Sequence, residues 1–333
     1  MDSGKFRLVT RSDFDGLASA VLLRDLDLID DVRFVHPKDM QDGQIEIGAR
    51  DIITNLPYVP GCHLCFDHHL SEELRVGANG AGAAGAGTGP GNGRDAGPRN
   101  GRAANHIIRP GADSAARVVW DHFGGFDRFP RRFDALMAAV DKADSARFTV
   151  DEVLDPKGWV LLAFLMDART GLGRFRDFRI SNYQLMQELI ALSAGGDVEA
   201  VLAHPDVRER AELYFEHVEP FRQQLRRCGS VMGNVVVLDL RGEEPIWAGN
   251  RFMVYALYLQ CNVSVHVLWG VNRRNTVLAV GKTIFGRAPS LEIGPLLLHY
   301  GGGGHAGAGT CQVPNDQAER VLAEIVQSLR EDL

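Results

Sequence analysis

Three stretches of this chain carry side chains whose types and spacing suit phosphate chemistry. The first is Arg11-Ser12-Asp13-Phe14-Asp15-Gly16. Asp13 and Asp15 are two residues apart, so in an extended chain they face the same way. Gly16 lets the chain turn into a helix, whose first N–H groups supply positive potential. Two carboxylates at that place suit a hard divalent cation and a phosphate, although D-x-D-G alone also describes an ordinary turn. The second stretch is Leu64-Cys65-Phe66-Asp67-His68-His69, an apolar run ending in a carboxylate and two imidazoles. Neutral imidazole is a common metal ligand, and its second nitrogen needs a carboxylate or carbonyl to fix the tautomer. Asp67 supplies that carboxylate; read blandly, the triplet is a charged loop after a strand. The third stretch is GGGGHAGAG at 301–309. Four successive residues without Cβ allow backbone amides to approach an anion closely, and His305 can add a donor.

In the order RSDFDG, SAVLL, FDHH and GGGGHAGAG, the chain resembles the DHH phosphoesterase superfamily. The glycine run is similar to the signature of that superfamily's C-terminal DHH-associated substrate domain. The likeness covers nearly the whole chain apart from 76–104. It is nearest to bacterial exopolyphosphatase-related proteins, in a superfamily that also holds RecJ-like exonucleases, oligoribonucleases and cyclic-dinucleotide phosphodiesterases. It implies hydrolysis of a phosphoester or phosphoanhydride by a metal-activated hydroxide, with Mn2+ the usual ion and Mg2+ an alternative.

The resemblance also implies roles. Asp15, His68 and Asp141 hold one metal, and Asp13 faces a second metal position. His69 contacts phosphate, Asp67 orients its neighbours, and Asp144 stands behind the ligands. Gly302, Gly303, Gly304 and His305 grip the substrate; Lys282 reads equally as a residue of the same cleft and as a free surface amine. There are two departures. Arg11 stands where the family usually has a histidine, and Asn55 stands where it has an aspartate bridging two metals. Arginine is permanently charged, so Arg11 with neutral Asn55 carries the same net charge as a metal, a neutral histidine and an aspartate. One metal per chain is therefore expected rather than two, with the Arg11 guanidinium in the vacated position and paired to Asp13.

The elements that must position these groups read as α/β. Phe6–Thr10, Val32–His36, Asp51–Thr54 and Cys62–Phe66 are expected strands alternating with a helix after Gly16 and a turn at 38–43, the pattern of a parallel sheet. Ligands in such sheets sit beyond the carboxyl ends of the strands, where Asp13, Asn55 and Asp67 fall. Asp113-Ser114 can cap a helix from Ala115 to Phe123. A helix from Phe133 delivers Asp141 and Asp144 to one side, either as site residues or as solvated helix-end acids. The segment 169–179 interleaves four arginines with two phenylalanines. Arg174 and Arg176 there suit phosphate and base contacts, or the arginines pair locally with Asp167 and Asp177.

Residues 76–104 are glycine- and alanine-rich, too poor in apolar side chains to offset their ordering entropy, and read as a flexible insertion. The expected organisation is a DHH domain over 1–205, a connecting helix over 206–229 and a smaller α/β substrate domain over 230–333, with the site in the cleft between them. The five cysteines do not make a disulfide scaffold. Cys62 and Cys65 read as buried strand thiols rather than zinc ligands.

The chain has 333 residues with 36 Lys+Arg against 43 Asp+Glu, a net charge of −7. Tracking a long duplex calls for a basic face, so this balance favours a short phosphorylated substrate: an oligonucleotide, a cyclic dinucleotide or polyphosphate. No apolar run reaches the length of about 20 residues that a membrane span needs, and the N-terminus lacks a signal pattern. A cytoplasmic location is expected, and a homodimer is allowed. Two functional classes follow: a metal-dependent phosphoesterase, or a non-enzymatic regulatory protein that binds a nucleotide or polyphosphate. Keeping Asp13, Asp15, Asp67, His68, His69, Asp141 and the glycine run favours the enzyme.

Overall fold

Continuous apolar runs at Leu8-Val9, Ile52-Ile53 and Cys65-Phe66 are almost wholly buried, as befits strands covered on both faces. The computed structural model of the protein describes residues 4–69, 72, 103–286 and 290–331. The expected insertion at 76–104 lies outside the described residues except for its last two positions. The chain folds as two units. The first takes Met1–Ala146, Gly158–Met166 and Phe178–Val207; the second takes Arg147–Lys157, Asp167–Asp177 and Arg208–Leu333.

In the first unit β1 (Phe6–Arg11), β2 (Ile29–Val35), β3 (Asp51–Thr54), β4 (Leu64–Asp67) and β5 (His106–Ile108) form one sheet in the order β2-β1-β3-β4-β5. Every neighbouring pair is parallel. The α/β expectation therefore holds, and the parallel direction gathers the carboxyl ends of the strands on one edge. The ends of β1 and β3 are pinned together: Thr54 donates its hydroxyl to Thr10 Oγ1 at 2.8 Å, and Thr10 donates to the Thr54 carbonyl at 3.1 Å. Helix Phe14–Asp25 is buried from Phe14 to Leu23 and packs against helices Ala115–His122 and Asp134–Asp144. The expected turn at 38–43 instead opens with a short helix, Pro37–Gln41. His36 Nδ1 caps it by accepting from the Lys38 N–H at 3.2 Å, and proline is pre-set for a first helical position.

Cys62 and Cys65 are both buried in one core cluster with Val9, Ile53 and Leu56. The strand begins only at Leu64, so Cys65 is a strand thiol as expected, whereas Cys62 lies before the strand.

In the second unit β6 (Gly229–Met232), β7 (Val235–Asp239), β8 (Val263–Trp269), β9 (Thr276–Lys282), β10 (Gly303–His305) and β11 (Ala308–Val313) form a mixed sheet, ordered β10-β11-β9-β8-β7-β6. Only β7 and β8 run parallel; the other neighbours are antiparallel. Its core joins Val237, Val265, Leu278 and Val280 to Ile293 and Leu297 of helix Ile293–Leu298 and to Val321, Ile325 and Leu329 of helix Ala318–Glu331. β6 and β10 carry no apolar alternation, which is why pattern reading passes over them. No helix among the described residues is long and apolar enough to cross a membrane.

Candidate active site

The site grows from the three loops that leave β1, β3 and β4. Asp13 caps the helix that follows β1, its Oδ1 accepting from the Gly16 N–H at 2.9 Å. Gly16 is required by space: a Cβ there would stand 2.0 Å from the Arg11 carbonyl oxygen and 2.9 Å from Thr10 Oγ1. Arg11 Nε pairs with Asp13 Oδ2 at 3.1 Å. Asn55 follows β3 in the left-handed region, φ 56°, a conformation that asparagine tolerates better than most residues. That turn aims its Nδ2 at both Asp13 oxygens, 3.4 Å from each.

Asp15 is buried and acts at long range. Its Oδ2 accepts from the Ala115 N–H at 3.0 Å and its Oδ1 from the Ala116 N–H at 2.7 Å. These are N–H groups that the first turn of helix Ala115–His122 leaves without intrahelical partners. Burial pushes the Asp15 carboxyl well above the usual carboxylate range, and the charges of Asp144 and Asp13 add to the push; His68 and the Ala116 N–H oppose it.

Asp67 ends β4, fully buried. Its Oδ1 accepts from the His68 N–H at 2.8 Å and stands 2.7 Å from His69 Nδ1. The carboxylate thus fixes the His69 ring, not the His68 ring. His68 turns its Nδ1 to the Ala112 carbonyl at 3.2 Å. A carbonyl only accepts, so Nδ1 carries the proton and a neutral His68 presents a lone pair at Nε2.

That lone pair faces carboxylates. His68 Nε2 is buried and 3.0 Å from Asp144 Oδ2, and ligand atoms of Asp15, His68 and Asp144 all lie within 4.8 Å of one another. A lone pair and two carboxylates so close repel unless a positive charge lies among them. Burial resists protonation of His68, but the Asp144 contact and the Asp15 and Asp144 charges prevail, pushing its pKa up to about 9. A divalent cation meets the same demand with two carboxylates and one imidazole, a donor set suited to Mn2+ or Mg2+. The residues fit such an ion.

The triad differs from the sequence expectation in one member. Asp141 is held elsewhere: its Oδ1 accepts from Ser114 Oγ at 2.8 Å and its Oδ2 from Arg117 Nε at 2.9 Å. Asp144, expected behind the ligands, takes the place beside His68. Ser114 and Arg117 as holders of Asp141, and Ala112 as the holder of His68, left no signal in the sequence beyond the helix cap at Ser114. A second acidic group, Glu188, His204 and Asp206, is already bound to a cation, since Arg179 Nε donates to Asp206 Oδ1 at 2.8 Å.

The first unit therefore gathers Arg11, Asp13, Asp15, Asn55, Asp67, His68, His69 and Asp144. Apart from Asp141, which is in the first unit, the remaining expected residues belong to the second unit. Gly303–His305 forms the edge strand β10, paired with β11, and His305 is exposed with Nδ1 accepting from the Gly307 N–H at 3.2 Å. Close packing explains part of the glycine run: a Cβ on Gly302 would lie 2.2 Å from the Thr310 carbonyl oxygen, and one on Gly304 2.2 Å from that of Ala308. Gly301 and Gly303 face open space. Lys282 ends β9 beside this hairpin, its N–H donating to the Gly307 carbonyl at 2.9 Å. In the arginine-rich segment, Arg169 pairs with Asp167 at 2.7 Å, as the local reading expects. Arg174 reaches the Ile246 carbonyl at 3.3 Å, and Arg176 is exposed.

No protein-family model matches the chain, and neither does any curated protein. Among solved structures it is similar to PggH, a pGpG-specific phosphodiesterase from Vibrio cholerae, at 52% identity and a TM-score of 0.84, over 99% of this chain and 100% of that one. Two more distant similarities are an exopolyphosphatase-related protein from Bacteroides fragilis (13% identity, TM-score 0.47, 98% of this chain and 93% of that) and RecJ in complex with Mn2+ from Thermus thermophilus (14%, 0.49, 98% and 52%). The identity to PggH spans both chains end to end, and the D-x-D-G and Asp-His-His loops meet at one sheet edge. The chain belongs to the DHH phosphoesterase superfamily.

Proposed function

We propose that this protein is a metal-dependent phosphodiesterase acting on short linear dinucleotides, with pGpG its substrate and two molecules of GMP the products. The observation that carries this reading is the full-length 52% identity to a pGpG-specific phosphodiesterase. The site geometry supports it. Asp15, His68 and Asp144 would hold one divalent ion, Mn2+ or Mg2+; when bound, such an ion supplies Lewis acidity at phosphorus and lowers the pKa of water.

The chain's own groups account for the rest. The Ala115 and Ala116 N–H groups hold the Asp15 carboxylate in place, so it needs no reorientation as substrate arrives. The Ala112 carbonyl keeps the His68 proton on Nδ1. Asp67 accepts from His69 Nδ1, so a neutral His69 presents a lone pair at Nε2 that can take a proton from a bound water or hydroxyl. We assign substrate capture to the second unit, with the exposed His305 and the half-buried Lys282 as phosphate contacts. The organisation into an N-terminal catalytic and a C-terminal substrate domain belongs to the same proposal.

Incubating the protein with Mn2+ and, in parallel, pGpG, other linear dinucleotides, cyclic di-GMP and polyphosphate, followed by chromatography, tests the reading. Release of GMP from pGpG ahead of the other substrates is expected. Turnover of polyphosphate in preference to pGpG would replace it with an exopolyphosphatase.

A further inference from the structure

Resting on the reading of this site as a metal-dependent phosphoesterase, we infer that Arg11 supplies its second positive charge: the guanidinium, docked on Asp13, takes the position of a second metal ion and grips the substrate phosphate.

The Asp13 carboxylate is already surrounded by donors. Gly16 N–H reaches Oδ1 at 2.9 Å, Arg11 Nε reaches Oδ2 at 3.1 Å, and Asn55 Nδ2 lies 3.4 Å from both. A carboxylate offers about four lone-pair directions, and three N–H groups converge on these. A divalent ion on Asp13 would compete with Arg11 for the carboxylate, and Asn55 turns the nitrogen end of its amide toward such an ion. Its Nδ2 faces Asp13, and turning its Oδ1 inward instead would aim both oxygens of Asp13 at a third. The left-handed backbone at Asn55, next to the strand end pinned by Thr10 and Thr54, aims its side chain at Asp13, and the contacts to both Asp13 oxygens select the nitrogen end of the amide.

Charge agrees with geometry. One divalent ion is balanced by Asp15 and Asp144, Arg11 balances Asp13, and the Asp67 carboxylate held on His69 leaves the group one charge negative. A second divalent ion would leave the group with excess positive charge beside a permanently protonated guanidinium. Phosphoryl-transfer sites meet the charge that develops on phosphate either with a second metal or with arginine. Here Arg11 is about two-fifths exposed and engages Asp13 through Nε. Its Nη groups are the fork that matches phosphate oxygens.

The test counts metal and phosphate separately. Elemental analysis of Mn2+-loaded, dialysed protein should give one ion per chain, and two tightly bound ions would overturn the assignment. Arg11→Ala should keep its one ion and its fold, bind inorganic phosphate at least about tenfold more weakly by calorimetry, and lose about 10²- to 10³-fold in kcat/KM, the scale of one lost oxyanion donor. Arg11→Lys should recover only part, since a point charge lacks the fork. Unchanged phosphate affinity in Arg11→Ala overturns the grip. The double change Arg11→His with Asn55→Asp should admit a second Mn2+; retention of a single ion there removes the claim that the guanidinium fills a metal's position. Should pGpG prove not to be the substrate, the ion count and the phosphate titration still decide the role of Arg11.

Discussion

Asp144 Oδ2 stands 3.0 Å from His68 Nε2, whereas Asp141, one helical turn earlier, pairs with Arg117. The two acids of helix Asp134–Asp144 therefore serve different ends. Asp144→Ala should strip the metal and lower turnover at least about 10²-fold, with thermal stability kept. Asp141→Ala should do the reverse: metal stays, while the uncompensated Arg117 costs about 3 kcal/mol of stability. Metal analysis and denaturant titration of the two variants check this, and loss of metal from Asp141→Ala alone would exchange their roles.

Asp67→Asn should lower kcat about 10²-fold while leaving metal content unchanged. The buried carboxylate holds the His69 ring at 2.7 Å, and an amide in its place no longer fixes which ring nitrogen carries the proton. Turnover at saturating substrate, read beside elemental analysis, separates this from damage to the metal triad.

Gly16→Ala should destabilise the first unit by about 3 kcal/mol, near the upper end for overpacking. The added methyl would lie 2.0 Å from a backbone carbonyl that cannot rotate away. Thermal melts of the variant measure it; a wild-type melting temperature would show that the loop has room.

In metal-free protein the His68 pKa is raised from 6.5 to about 9. A raised folded-state pKa gives stability that is complete below the unfolded value and fades as pH rises through the folded one. The buried Asp15, also raised, acts in the same direction. Melting temperature in EDTA should therefore fall between pH 6.5 and 9, and saturating Mn2+ should flatten that fall because the ion replaces the proton. A flat profile in EDTA would contradict the charge balance described for the triad.

Much of the site was legible because it hangs on strand ends. The apolar runs of β1, β3 and β4 and their abrupt polar endings placed Asp13, Asn55 and the Asp67-His68-His69 triplet on one edge. The choice of Asp144 over Asp141 was not legible: the two acids stand one turn apart on one helix, Asp141 buried and Asp144 exposed, and the decision rests on Arg117, which arrives from another. The glycine run shows a second limit. Its residues suit anion binding and tight backbone packing alike, and only the neighbours of Gly302 and Gly304 reveal the packing demand. Asp15 was placed at the right loop, but its hold on Ala115 joins positions 100 residues apart, beyond the reach of local pattern.

That hold makes the metal site a clasp on a very long loop. Asp15 cannot take its place until Ala115 and Ala116 arrive, so the ion's donors and the closure of about a hundred residues form in one step. The cost of bringing the two ends together grows only as the logarithm of the length between them, about 0.6 kcal/mol per doubling. Any change that loosens the start of helix Ala115–His122 therefore reaches Asp15 at once, far from it in sequence.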